Sequence, residues 1–187
     1  MAPKPPDEAE LHKRRAGWKY HGQARPVFAD IPGPGQESVW DYPRPPALVR
    51  DKRLVEVRAG GLLLARSARA VRVLETGSPP TIYLPREDAD LNLLQRTKAQ
   101  SFCEWKGEAG YFDLVTAETR LEKVAWSYEQ PFPAFTGIAG YLSFYPQRVE
   151  CFVDGERVRP QAGGYYGGWV TDEVVGPYKG QPGTESL

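Results

Sequence analysis

The chain has 187 residues, of which 41% are hydrophobic and 12% aromatic, enough apolar surface for a packed core and too much for wholesale disorder. Lys plus Arg and Asp plus Glu number 24 each, so the basic excess that draws proteins to phosphate backbones is missing and nucleic acid is not an expected partner. No run approaches the ~18 apolar residues that span a bilayer, and the charged, Pro-rich first residues lack an apolar signal core, so a cytoplasmic protein without membrane contact is expected.

Single cores use roughly 100–150 residues, which leaves room here for one domain plus extra segments. Half of the 18 prolines lie in residues 1–46; proline fixes φ and removes a backbone donor, so this part reads as an irregular arm supplying neither sheet nor long helix. Residues 1–17 are expected to form at most a short frayed helix. Trp40 and Tyr42 beside Pro43, Pro45 and Pro46 suit a polyproline-like strap docked on the core, or a recognition peptide for another protein's aromatic groove.

From Leu54 short runs alternate with period 2 between turn residues, the signature of half-buried strands. Strands are expected at 54–57 and 62–65 around Gly60-Gly61, and at 71–74 and 81–84 around Gly77-Ser78-Pro79-Pro80. Asp88 is expected to cap a short helix with Leu91 and Leu94 inward. Further strands follow at 109–115, 124–128, 138–145 and 149–153, the last returning through an Asp154-Gly155 turn. About eight short strands with one or two short helices predict a mainly β chain, a compact antiparallel sandwich or barrel-like fold over residues 47–160. The tail, residues 161–187, holds seven of the 19 glycines with Tyr165, Tyr166, Trp169 and Tyr178. Such a composition orders only on a surface already folded, with Trp169 inserted.

Several segments together resemble the bacterial and fungal family known as domain of unknown function 427, which also carries a nucleotidyltransferase-type label. They are Ala65-Arg66-Ser67 with Leu74-Glu75-Thr76, Tyr83-Leu84-Pro85-Arg86-Glu87-Asp88, Cys103 to Ala109 with Tyr111, Ala125-Trp126-Ser127-Tyr128, and Ile138 to Tyr145. The flanking Trp40-Asp41-Tyr42-Pro43-Arg44-Pro45-Pro46 and Gly168-Trp169-Val170-Thr171 are similar to the family's longer variants. The resemblance implies a compact β fold and no agreed chemistry. Nucleotidyl transfer needs paired carboxylates for magnesium and a Gly-rich phosphate loop. The residues show neither, since Gly163 to Gly168 precede no Lys.

Cys103 and Cys151 have no CxxC spacing and no His pair beside them, so reduced thiols and neither a metal site nor a cofactor are expected. His12 and His21 both lie in the arm. Cys103-Glu104-Trp105-Lys106-Gly107 is the densest set of reactive side chains; in an extended strand Cys103 and Trp105 would face one way, Glu104 and Lys106 the other. A bend at Gly107 would instead bring Lys106 toward Cys103, with Glu104 as base, for Cys-dependent acyl or amide chemistry. Buried, Cys103 is simply a small hydrophobe.

The aromatics suggest a pocket. Trp126 and Tyr128 share a strand face, and with Trp105 and Tyr141 they could stack a flat or cationic ligand while Lys106 or Arg86 anchors it. Arg86 and Asp88 equally suit a cap and an ion pair, and Arg66, Arg69 and Arg72 a solvated face. The leading expectation is small-molecule binding in an aromatic-lined pocket at Trp105, Lys106, Trp126, Tyr128, Tyr141 and Arg86. The alternatives are a Cys103-dependent enzyme with Glu104 and Lys106, and a protein-interaction module using arm and tail. Homo-oligomerisation stays open.

Overall fold

The structure, a computed structural model, describes residues 5–184. Its one α-helix, Glu8–Ala16 (α1), has Asp7 accepting from the Glu10 amide at its start and Lys13, Arg14 and Arg15 in its last turn. Cap and charge match the helix dipole, and none of its residues is buried. The strands follow as β1 Glu37–Ser38, β2 Ala47–Asp51, β3 Val55–Ala59, β4 Leu62–Ser67, β5 Ala70–Glu75 and β6 Ser78–Leu84. After them come β7 Leu94–Cys103, β8 Gly107–Val115, β9 Arg120–Ser127, β10 Leu142–Phe144, β11 Glu150–Val153, β12 Glu156–Arg157, β13 Arg159–Pro160, β14 Trp169–Val170 and β15 Val174–Val175.

Seven strands form one antiparallel sheet in the order β2-β5-β6-β10-β9-β8-β7, and four form a second in the order β12-β11-β3-β4. Between the sheets Val55, Val57, Leu64, Cys151 and Val153 meet Ile82, Leu84, Phe112, Leu114, Val124 and Phe144. The fold is thus mainly β and antiparallel, a sandwich with its core between two faces. Trp169 of the tail is inserted into this core, its indole N–H donating to the Phe144 carbonyl at 3.0 Å.

Strict alternation gives the larger sheet a second apolar face, away from the smaller one. Val71, Val73, Tyr83, Ala109 and Trp126 point there, joined by Trp105, Tyr128, Phe135 and Ile138. Arm and tail meet at a third cluster, where Val39, Trp40 and Tyr42 pack with Val174. Trp40 donates to the Pro177 carbonyl at 2.9 Å.

All eight expected strands are present, with ends shifted by a few residues. Asp154 and Gly155 both have positive φ, 47° and 82°, in the turn between β11 and β12, as a tight hairpin requires. Four expectations are corrected. The helix after Asp88 is two 3-10 turns, Arg86–Asp88 and Leu91–Leu93, and the capping carboxylate is that of Asp90, accepting from the Asn92 amide. Asp88 instead accepts from Ser67 and Arg69. Residues 138–145 are strand only at β10, because a 3-10 turn, Pro133–Ile138, runs into them. The arm does supply sheet, since β1 pairs in parallel with β15. Finally, residues 104–106 are no strand but the turn that joins β7 to β8.

Candidate functional site

That turn decides where the chemistry sits. Cys103 and Gly107 are the last paired residues of β7 and β8, and Gly107 takes φ +98°, a conformation that favours glycine. The chain therefore reverses instead of alternating. Trp105 and Lys106 both turn inward and are buried, and the Lys106 carbonyl accepts from the Phe132 amide at 3.1 Å. From the arm, Arg15 donates to the Glu104 carbonyl at 2.8 Å and Trp18 donates to the Glu104 carboxylate at 3.0 Å.

Beside the turn, on the outer face of the larger sheet, lies a cleft of about 610 Å³. Its floor is Val73, Tyr83, Ala109 and Trp126; Cys103, Glu104, Trp105, Lys106 and Tyr128 form one wall. The tail loop, Gly164 to Gly168, also lines it, as do Trp18, Gln161 and Lys179, all buried or half-buried, and Lys123 and Arg148. The Trp126 and Tyr145 ring centroids are 4.4 Å apart. At Gly167 a β-carbon would come within 2.4 Å of the Trp126 ring, so only glycine lets the tail lie this close.

The charges in the cleft are unequal. Lys106 Nζ is 3.8 Å from a Glu75 carboxylate oxygen, whose other oxygen takes a hydrogen bond from Arg44 at 3.2 Å. Two cations lie against the Trp18 ring, Lys179 Nζ 3.8 Å and the Arg44 guanidinium carbon 4.0 Å from its centroid. Burial alone would lower the Lys106 pKa, but Cys103, Glu75 and Tyr83 outweigh it and the group is held above the ordinary lysine range. For Lys179 burial wins: with Arg44 adding to it, and Glu75 and Glu104 opposing, the pKa falls to about 8. Burial raises Tyr83 to about 12 and Tyr128 well above its ordinary value, so both phenols stay neutral near pH 7. Three buried or half-buried cations, Arg44, Lys106 and Lys179, thus share the carboxylates of Glu75 and Glu104. The buried Trp105 indole N–H has no acceptor.

Of the residues singled out in the sequence, Cys103, Glu104, Trp105, Lys106, Trp126 and Tyr128 are brought together here. Tyr141 and Arg86 are not. Tyr141 borders a separate hollow with Leu48, Arg50 and Ala70, because β10 begins only at Leu142 and leaves Tyr141 outside the sheet. Arg86 is occupied elsewhere, donating to the Gly140 carbonyl at 3.0 Å and pairing with Glu129. Arg66 on β4, Arg69 in the connection to β5 and Arg72 on β5 scatter, pairing with Glu56, Asp88 and Glu37. His21 bonds the carbonyls of Trp18 and Arg44 through its two ring nitrogens.

Trp18, Glu75 and Lys179 were missed as site residues. Only Glu75 lay in a strand whose register could have indicated it; Trp18 and Lys179 reach the cleft through tertiary docking of arm and tail. Among the described residues no three His, Cys, Asp or Glu side chains converge as a metal site, and no helix is long and apolar enough to cross a membrane.

A family model described as a domain of unknown function, DUF427, matches residues 47–155. No curated protein matches the chain.

Proposed function

The chain belongs to the DUF427 family, and because that description assigns no activity we propose a function from the cleft: it binds a small, flat, anionic molecule between aromatic side chains. The observation that carries this is the pair of buried ammonium groups, Lys106 and Lys179, on one aromatic-walled cleft, with the buried Arg44 beside Glu75 and only the partly exposed Glu75 and Glu104 as carboxylates. A buried charge without a full partner is costly, and an anionic ligand would complete the set at Lys106 and Lys179. The unpaired Trp105 N–H offers a donor of the kind buried sites seldom leave unused. A cationic ligand, admissible from the aromatics alone, would meet these same ammonium groups.

The test is a thermal-shift panel of matched aromatic acids and aromatic amines on the intact chain. Stabilisation by acids and not by amines supports the reading, as does its loss in Lys106→Gln. Equal stabilisation by both, or by amines alone, contradicts it.

A second reading has its own observation: the Cys103 sulfur lies beside the buried Lys106 ammonium, near enough to raise that lysine's pKa, and shares a wall of the cleft with Glu104. Cys103-dependent acyl or amide chemistry would then use the same cleft. Rapid alkylation of Cys103 below pH 7 in native protein, against a slow unfolded control, would favour it; protection at all pH values would remove it.

A further inference from the structure

The two cleft lysines are built differently. Lys106 sits between Glu75, the Cys103 sulfur and the faces of Tyr128 and Phe135, 5.9 and 5.8 Å from the ring centroids. Lys179, 5% exposed, has no carboxylate within 4 Å among the described residues; its ammonium rests on the Trp18 face. Its backbone is pinned on both sides: its amide donates to the Gly77 carbonyl at 2.9 Å and its carbonyl accepts from Gln161 at 2.7 Å. Gly77, at φ +77°, leaves room for the lysine chain, whose Cε would be 3.2 Å from a β-carbon there.

We propose that Lys179 is a nucleophilic amine that captures the aldehyde or ketone group of an anionic ligand as an imine, while Lys106 holds the ligand's negative charge. This rests on the anion-binding reading above.

A desolvated lysine close to a second cation is the arrangement that yields a reactive neutral amine. The groups facing Lys179 are Arg44 from the arm, Glu75 from β5 and Glu104 from the β7–β8 turn. Burial and Arg44 outweigh the two carboxylates, and the resulting value of about 8 leaves a usable fraction of free base near neutrality. Lys106, kept protonated, is the complementary anchor; two like groups pushed apart by their surroundings divide such roles.

The step balances without an oxidant or reductant. The Lys179 nitrogen lone pair forms a C–N bond to the carbonyl carbon as the C=O π pair moves to oxygen. The nitrogen loses a proton and the oxygen gains one, giving a carbinolamine. The carbinolamine oxygen then takes up a second proton and leaves as water, while the nitrogen lone pair forms C=N. Amine, carbonyl compound and one proton give a protonated imine and one water.

The experiment uses the full chain with 4-formylbenzoate and sodium cyanoborohydride, which reduces the imine to a stable amine, and peptide mass mapping. In parallel, 4-methylbenzoate, the same anion without a carbonyl, is titrated to measure binding alone. The expected result at pH 7 is adduct concentrated on Lys179, several-fold above the exposed Lys52 or Lys98. Labelling should rise to half its plateau near pH 8, fall with excess 4-methylbenzoate, and vanish in Lys179→Arg, which keeps a cation on Trp18. Adduct spread evenly over the lysines while 4-methylbenzoate still binds would overturn the imine and leave the binding reading standing. Neither adduct nor binding would overturn both. Adduct on Lys179 without competition by 4-methylbenzoate would uphold the nucleophile and remove the anion anchor.

Discussion

The Trp126 indole N–H donates to the Tyr83 hydroxyl at 2.9 Å across an intervening strand. Tyr83 is on β6 and Trp126 on β9, and Ser143 of β10 is the register partner of both. A small residue in the middle of that row lets two large rings lean together edge to face, centroids 6.0 Å apart. The pair forms the cleft floor. Tyr83→Phe leaves the indole N–H buried without an acceptor, so a destabilisation of about 1–3 kcal/mol is expected in urea unfolding. An unchanged midpoint would mean that the bond adds nothing.

Gly167 is the point where the tail touches the floor. In Gly167→Ala the new methyl would overlap the Trp126 ring, and such overpacking typically costs ~1–3 kcal/mol. The tail is cheaper to move than the sheet. The expected outcome is therefore a raised loop, seen as faster proteolysis near Tyr165, which is 77% exposed, and weaker ligand binding, with urea stability little changed.

Lys179 should leave a signature in the pH dependence of stability. Its folded pKa of about 8 lies below the ordinary 10.5, so between these values the unfolded chain binds more protons and stability rises with pH. Below pH 8 the buried charge is at its full cost. Lys179→Met should accordingly stabilise the protein most below pH 8, by up to about 3 kcal/mol at ~1.4 kcal/mol per unit, and its advantage should shrink toward pH 10.5. A difference independent of pH would contradict the depressed pKa.

The two thiols should differ sharply. Cys151 is in the inter-sheet core, where burial pushes its pKa well above the ordinary value, while Cys103 is half-buried and lines the cleft. Iodoacetamide on native protein, followed by mass mapping, is expected to label Cys103 first and Cys151 only on unfolding. A cleft ligand should slow the first reaction.

The sequence revealed the strands that bury one face and hid those that do not. Period 2 was plain in 71–74 and 81–84, whose apolar residues fill one or other side of the sheet. Besides several two-residue strands, the sequence hid β2 and β7, the two edges of the larger sheet; Leu94 is the one buried residue of the second, so its ten residues show no apolar alternation. For the site, the cluster at 103–107 was visible because its residues are adjacent in sequence. Its inward turn followed from a glycine at positive φ, which composition does not show. Trp18 and Lys179 lie 161 positions apart, and nothing local marks either; they meet because Trp40 and Val174 hold arm and tail together. Tyr141 and Arg86 looked equivalent to the cleft residues until the 3-10 turn after Pro133 and the Glu129 ion pair placed them elsewhere.

The most direct test of anion binding in the cleft is a titration of the intact, nitrogen-15-labelled protein with 4-methylbenzoate, following the indole N–H signals of its five tryptophans. Trp18, Trp105 and Trp126 line the cleft, whereas Trp40 is in the arm–tail cluster and Trp169 in the inter-sheet core. Saturable shifts of the first three, largest for the unpaired Trp105 N–H, with Trp40 and Trp169 unmoved, are the predicted result. Shifts confined to Trp40 or Trp169, or none up to millimolar ligand, would contradict it.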